Sequence, residues 1–226
     1  MVETIDSDFP ITVRRSSRSR KMTLRVSPDY KGFVLTLPLR SSLKSAQKFV
    51  SQSNEWLLAN SRFLCASKQF TDGCRFTFLG EEVVLCHNPE AKRGVWQEGD
   101  VIYVSGSQEF FARRVKDFLH KKFLHHVKEK VALYSKAINK KVSKVTVRNN
   151  TSRWGSCSCN ASVSFNFYLG YAPESIIDYV VVHELCHLLE MNHSLRFWRE
   201  VAKLYPSYKE ARKWLKVHGS SLYAFS

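Results

Sequence analysis

Asp178-Tyr-Val-Val-Val-His-Glu-Leu-Cys-His-Leu-Leu-Glu190 is the stretch on which the reading of this chain turns. Ile176, Ile177, Tyr179, Val180, Val181 and Val182 lead into it with apolar side chains, and Pro173 followed by Glu174 is a helix-start signal. Residues 173–191 therefore predict a mostly buried helix. Helical residues four apart lie on one face about a turn apart, which lets His183 and His187 close on one metal ion. Glu184, rotated around the helix from both, can accept the proton of a water in an open coordination position. A glutamate in an apolar helix is costly to bury without a partner, and a divalent metal with its water supplies one. H-E-x-x-H in this setting is the pattern of a zinc-dependent hydrolase.

The third ligand has more than one source. His193 follows six residues after His187, and the helix must stop soon after Leu189 for it to swing back; Asn192 can take the left-handed conformation that ends helices. This spacing equals that of the metzincins, but Glu190 stands where they have glycine and no later methionine could form a Met-turn. A glutamate from a following helix is the other zincin solution, with Glu200 and Glu210 as candidates. Ser207 and Glu210 fit a capping box, which gives Glu210 a structural task. Glu190 shares the face of His183 and His187, either supporting them or standing in solvent.

Composition sets the frame. With 226 residues, 44% hydrophobic and 13% aromatic, the chain can bury the core of one large or two small domains. The acidic start Met1-Val-Glu-Thr-Ile-Asp-Ser-Asp has no signal-peptide character, and no apolar run reaches membrane-spanning length, so a cytoplasmic protein without a membrane partner is expected. The six cysteines form no secreted-domain framework, and Cys157-Ser-Cys159 without a second pair is a weak metal signal. A formal net charge of +15 calls for a negative partner, nucleic acid, nucleotide phosphate or acidic polypeptide, or else marks a solvated basic surface. The charge gathers at Arg14, Arg15, Arg18, Arg20 and Lys21, along residues 113–130, and at Lys140, Lys141, Lys144 and Arg148.

The periodicities predict an α+β fold in two parts: a β-rich module with one helix over 1–105, and a zincin-like catalytic domain over 106–226. Residues 10–38 alternate as short strands with a turn at Asp29 to Gly32. One helix runs from Ser41 or Ser42 to about Phe63, followed by hairpin-like strands over 74–104. A long amphipathic helix covers 107–137, with His120, His125 and His126 read as solvated among lysines. Strands at 142–148 and 163–169 precede the motif helix, and helices from Ser194 and Ser207 close the chain. Such an order can place a strand beside the metal to hold an extended peptide, with residues 163–168 as the groove.

Trp154-Gly-Ser-Cys157, Val163-Ser-Phe-Asn-Phe167, Tyr179-Val-Val-Val-His-Glu-Leu-Cys-His187 and Asn192-His-Ser194 followed by Phe197-Trp198 together resemble the bacterial YgjP-like metallopeptidase family, relatives of the SprT-like zincins. The resemblance covers nearly the whole chain and is most specific from Arg153 to Trp198. It implies a zinc cofactor on His183, His187 and His193, with Glu184 as the catalytic glutamate. A polypeptide substrate follows from it, and a second description of the family implies nucleotide (UTP-type) pyrophosphate hydrolysis. That chemistry needs cations near the metal, for which Arg153, Arg196 and Arg199 are candidates; a nucleic-acid-associated protein or protease is the third reading. Tyr168, Arg196, Tyr205 and Tyr208 are the candidates for stabilising an oxyanion.

Overall fold

The computed structural model describes residues 5–27, 30–61, 64, 68–150 and 152–225. Asp29 and Phe63, which bound the predicted turn and helix of the first part, lie outside these. The chain forms two compact units, Met1–Lys68 with Tyr223–Ser226, and Gln69–Leu222.

In the first unit, strands β1 (Ile11–Ser16), β2 (Thr23–Val26) and β3 (Phe33–Pro38) form a sheet in the order β1-β3-β2. β1 runs parallel to β3 and β2 antiparallel to it. Alternation turns Phe33, Leu35 and Leu37 inward onto Ala46, Val50 and Leu57 of two helices, α1 (Leu43–Gln52) and α2 (Asn54–Ser61). Ser42 caps α1 by accepting the Ser45 N–H at 3.1 Å. The single helix expected here is two, because the Ser53 hydroxyl bonds back to the Phe49 carbonyl at 2.8 Å and competes with the helical ladder at the break.

The second unit begins with β4 (Arg75–Phe78), β5 (Glu81–His87), β6 (Val95–Glu98) and β7 (Val101–Val104), ordered β4-β5-β7-β6. The boundary expected near 105 falls inside this unit, because tertiary contacts tie the sheet to residues 122–171. The Phe78 ring packs on Tyr171 at 5.3 Å, the Leu79 N–H donates to the Gly170 carbonyl at 2.7 Å, and Lys122 Nζ donates to Gln97 Oε1 at 2.7 Å. Gly170 must lack a Cβ there, since one would lie 2.5 Å from the Phe78 ring.

Helix α3 (Phe111–Ala137) buries Phe111, Val115, Leu119, Phe123, Val127 and Val131 along one stripe. A second sheet of this unit contains β8 (Lys144–Arg148), β9 (Gly155–Cys157) and β10 (Ser162–Asn166), with β10 in the centre, parallel to β8 and antiparallel to β9. The strand expected over 163–169 stops at Asn166, whose side chain accepts the Tyr168 N–H at 3.2 Å and starts a 3-10 turn over Phe167–Tyr171. Helices α4 (Glu174–Cys186), α5 (Leu195–Leu204) and α6 (Tyr208–His218) complete the unit. Ser194 caps α5 through the Phe197 N–H at 3.3 Å, whereas the Ser207 side chain makes no capping bond to α6.

α4 is clamped to α3 by charge as well as by apolar packing. Lys130 Nζ lies 2.5 Å from Glu174 Oε1 and 2.9 Å from Asp178 Oδ1, and His126 Nε2 lies 3.1 Å from Glu174. Of the α3 histidines read as solvated, only His125 stands well exposed, beside Glu129; His120 stacks on Phe167 at 5.3 Å. No helix among the described residues is long and apolar enough to cross a membrane.

Candidate metal centre

α4 is apolar almost all round, with Ile176, Ile177, Tyr179, Val180, Val181, Val182, Leu185 and Cys186 buried, so it is fixed in the core and its few polar groups are fixed with it. His183 and His187 project one turn apart with ring centroids 5.1 Å apart. After Cys186 the helix ends in tight turns, in which the Leu189 and Glu190 N–H groups both bond the Cys186 carbonyl at 3.0 Å. The Asn192 side chain then accepts the Ser194 N–H at 3.2 Å, and this bend carries His193 back over the motif. His193 Nε2 lies 3.0 Å from His183 Nε2, and ligand atoms of the three histidines all lie within 4.8 Å of one another.

The rings are held from behind. Phe197 of α5, fully buried, lies 5.0, 4.6 and 4.8 Å from His183, His187 and His193, and Trp198 stacks on His193 at 5.6 Å. A carbonyl only accepts, so the 3.1 Å contact between His187 Nδ1 and the Glu190 carbonyl places the proton on Nδ1 and leaves Nε2 a free lone pair. The Tyr179 hydroxyl stands 3.4 Å from His183 Nδ1 and can hold that ring in the same tautomer. Support from position 190 is thus the main-chain carbonyl, not the carboxylate.

Burial, with His187, His193 and Arg212 adding to it, pushes His183 down to about 3, and burial lowers His187 also. His183 and His187 are therefore neutral donors at neutral pH. His183 Nε2 and His193 Nε2 lie 3.0 Å apart, a separation that either a shared proton or one cation held by both lone pairs satisfies. A tetrahedral zinc at its usual bond lengths sets ligand nitrogens about 3.3 Å apart, close to this spacing, so the donor set fits a divalent metal of zinc's kind.

Glu184 is 6% exposed and faces β9. A Cβ on Gly155 would lie 2.5 Å from Glu184 Cγ and Oε1, so only glycine lets the strand pass this carboxylate. Burial raises the Glu184 pKa to about 8, opposed by the charge of Arg153. Burial, then the Glu184 charge, pushes the Cys157 thiol up to about 11, so the thiol keeps its proton beside the glutamate. Trp154-Gly155-Ser156-Cys157 is thus the wall facing the motif helix. Beside Glu184 and His183 a cavity of about 210 Å³ opens between Trp154, Val180 and Leu215.

The family described as YgjP-like, metallopeptidase domain matches residues 20–218. The chain belongs to that family. This YgjP-like chain is a metal-dependent hydrolase of the metallopeptidase kind. Among solved structures, the metallopeptidase zymogen of Pyrococcus abyssi abylysin is similar at 24% identity and a TM-score of 0.37, over 40% of this chain and 94% of that one. No curated protein matches.

Other residues singled out in the YgjP-like sequence lie elsewhere. Glu200 pairs with Lys203 at 2.6 Å, Glu210 is exposed on α6, and neither belongs to the metal-fitting cluster, which among the described residues is His183, His187 and His193. Cys157 and Cys159 are free thiols outside it. The Tyr205 hydroxyl is taken by the Ser175 carbonyl at 2.7 Å, Tyr208 stacks on Trp198 at 5.3 Å, Tyr168 is buried in the 3-10 turn, and Arg196 and Arg199 line a cavity with Glu190 and Glu200. Of the three arginines considered for phosphate, only Arg153 lines the cavity beside the motif. β10, read as the peptide groove, is paired on both sides; β9 is the edge of that sheet and the strand that touches Glu184. Tyr179 and Phe197 stand in the motifs that carry the family resemblance, but their contacts with the histidines were not foreseen.

Proposed function

We propose that the chain hydrolyses peptide bonds with zinc held by His183, His187 and His193 and with Glu184 as the group that moves the proton. The observation that carries this reading is the convergence of three imidazoles beside a buried carboxylate of the motif helix. Bound there, zinc supplies a Lewis acid for the scissile carbonyl and a water made acidic enough to react near neutral pH. Without a cation beside it burial holds the Glu184 pKa near 8; held ionised by the bound cation, its carboxylate would take a proton from that water and return it to the leaving amine. Tyr179 and the Glu190 carbonyl keep His183 and His187 in the metal-binding tautomer. β9, an edge strand that passes against Glu184, offers backbone groups to an extended substrate.

The size of the cavity beside Glu184 favours a peptide over a nucleotide. At about 210 Å³ it is smaller than the roughly 300–1,000 Å³ typical of drug-sized ligand sites and suits one side chain. The free thiols at Cys74, Cys86, Cys157, Cys159 and Cys186 support a reducing, cytoplasmic setting. The test is metal removal and return. Cleavage of a denatured protein should vanish with chelator and recover with one equivalent of zinc, while UTP releases no chelator-sensitive pyrophosphate. Chelator-insensitive cleavage, or pyrophosphate release without cleavage, would overturn the reading.

A further inference from the structure

The cavity at Glu184 carries two kinds of wall. Trp154, Val180 and Leu215 make it apolar, and at about 210 Å³ it accepts a single side chain. Arg153 stands at its rim with its side chain exposed, and it is the one Lys or Arg among the lining residues. Its guanidinium is near enough for its charge to be felt at Glu184.

The main chain that bears this arginine is fixed. Asn166, wholly buried, donates from Nδ2 to the Arg153 carbonyl at 3.1 Å and to the Asn150 carbonyl at 2.8 Å, and its own N–H donates to the Trp154 carbonyl at 2.8 Å. Gly155 presses on Glu184 immediately after. The strand that places Glu184 therefore also places a cation at a set point on the rim. An arginine there does not serve the proton transfer itself, because a cation lowers the basicity of the glutamate beside it. Its planar fork matches a carboxylate.

Resting on the peptidase reading above, we infer that this cavity is a substrate subsite for one apolar side chain and that Arg153 determines specificity by pairing with a substrate carboxylate next to it. That carboxylate comes from a free C-terminus or from an adjacent Asp or Glu side chain. The two sources share the chemistry and differ in the mode of cleavage, removal of terminal residues in one case and internal cuts in the other.

The experiment uses the full-length zinc-loaded protein and two matched pairs of fluorogenic peptides carrying a leucine. One pair differs only in a C-terminal acid against an amide, the other in an internal Glu against Gln beside the leucine. In one pair the carboxylate member should be favoured by about tenfold in kcat/KM, the scale of a charge-assisted hydrogen bond at a solvent-exposed rim. Arg153→Met should bring that ratio to about one, and Arg153→Lys should restore part of it. No preference in either pair, or a preference that survives Arg153→Met, overturns the inference. Binding of the same peptides to the Glu184→Gln protein by calorimetry separates this from the peptidase reading. If no peptide is cut, yet the carboxylate member binds about tenfold tighter and loses this advantage in the Arg153→Met, Glu184→Gln protein, the peptidase reading fails and the subsite stands; equal affinities remove the subsite.

Discussion

α3 carries three histidines, and α4 with the turn after it carries three more, yet the two sets do different work. On α3, His125 lies beside Glu129 in solvent, His126 meets Glu174 at 3.1 Å, and His120 stacks on Phe167. Each has its own separate neighbour. On α4 and the turn after it the rings face one another, backed by Phe197 and Trp198, and burial keeps His183 and His187 neutral. Convergence and desolvation, and not the number of histidines on a helix, are what fit the second set for the metal proposed there.

Breaking this contrast gives the largest expected effect. His187→Gln should abolish stoichiometric zinc binding, while His125→Gln and His126→Gln keep one equivalent per chain by elemental analysis. Zinc retained after His187→Gln would mean that the metal sits elsewhere. Next comes Gly155→Ala, which drives a methyl into Glu184. Cleavage should fall by about 100-fold, the scale of a displaced general base, with zinc still bound. Unchanged kcat in a zinc-loaded Gly155→Ala protein would show that β9 does not constrain the glutamate.

A smaller effect belongs to the clamp between the two helices. Lys130→Met leaves Glu174 and Asp178 half-buried without their cation, and should lower stability by about 2 kcal/mol in denaturant titration, less than for a fully buried pair because water reaches these groups. His126→Gln, which removes only the second partner of Glu174, should cost less; the reverse order would relocate the clamp.

Acid distinguishes the histidine sets more gently. The folded-state pKa of His183, about 3, lies below its ordinary 6.5, so the folded chain binds that proton more weakly than the unfolded chain does. In metal-free protein this contribution is fully present above about pH 6.5 and is lost progressively as pH falls toward 3. Melting temperature measured from pH 7.5 to 5 should fall, and less steeply in His183→Gln. A parallel fall in the two proteins would remove His183 from the explanation.

The contrast also marks what the sequence could reveal. H-E-x-x-H was legible because both histidines belong to one helical stretch, whose spacing is local, and His193 because Asn192 and Ser194 mark a bend and a cap. The stripe on α3 was legible for the same reason. Gly155 against Glu184 was not, since the pair is 29 positions apart in the chain and only the packing of β9 on α4 brings them together. The division at Lys68 was equally hidden, because strands β4 to β7 look like their β-rich predecessors yet bury Phe78 against Phe167 and Tyr171. The break at Ser53 turns on one hydroxyl that back-bonds, in a stretch whose periodicity continues.

The central claim is that Glu184, held by α4 and β9 beside three histidines, carries the proton in peptide hydrolysis. Glu184→Gln keeps size and shape and removes only the basic oxygen. Single-turnover cleavage of a denatured protein by matched wild-type and Glu184→Gln samples, each shown to hold one zinc, tests it directly. A loss of at least about 100-fold in the variant at equal metal content is the expected result; equal rates would contradict it.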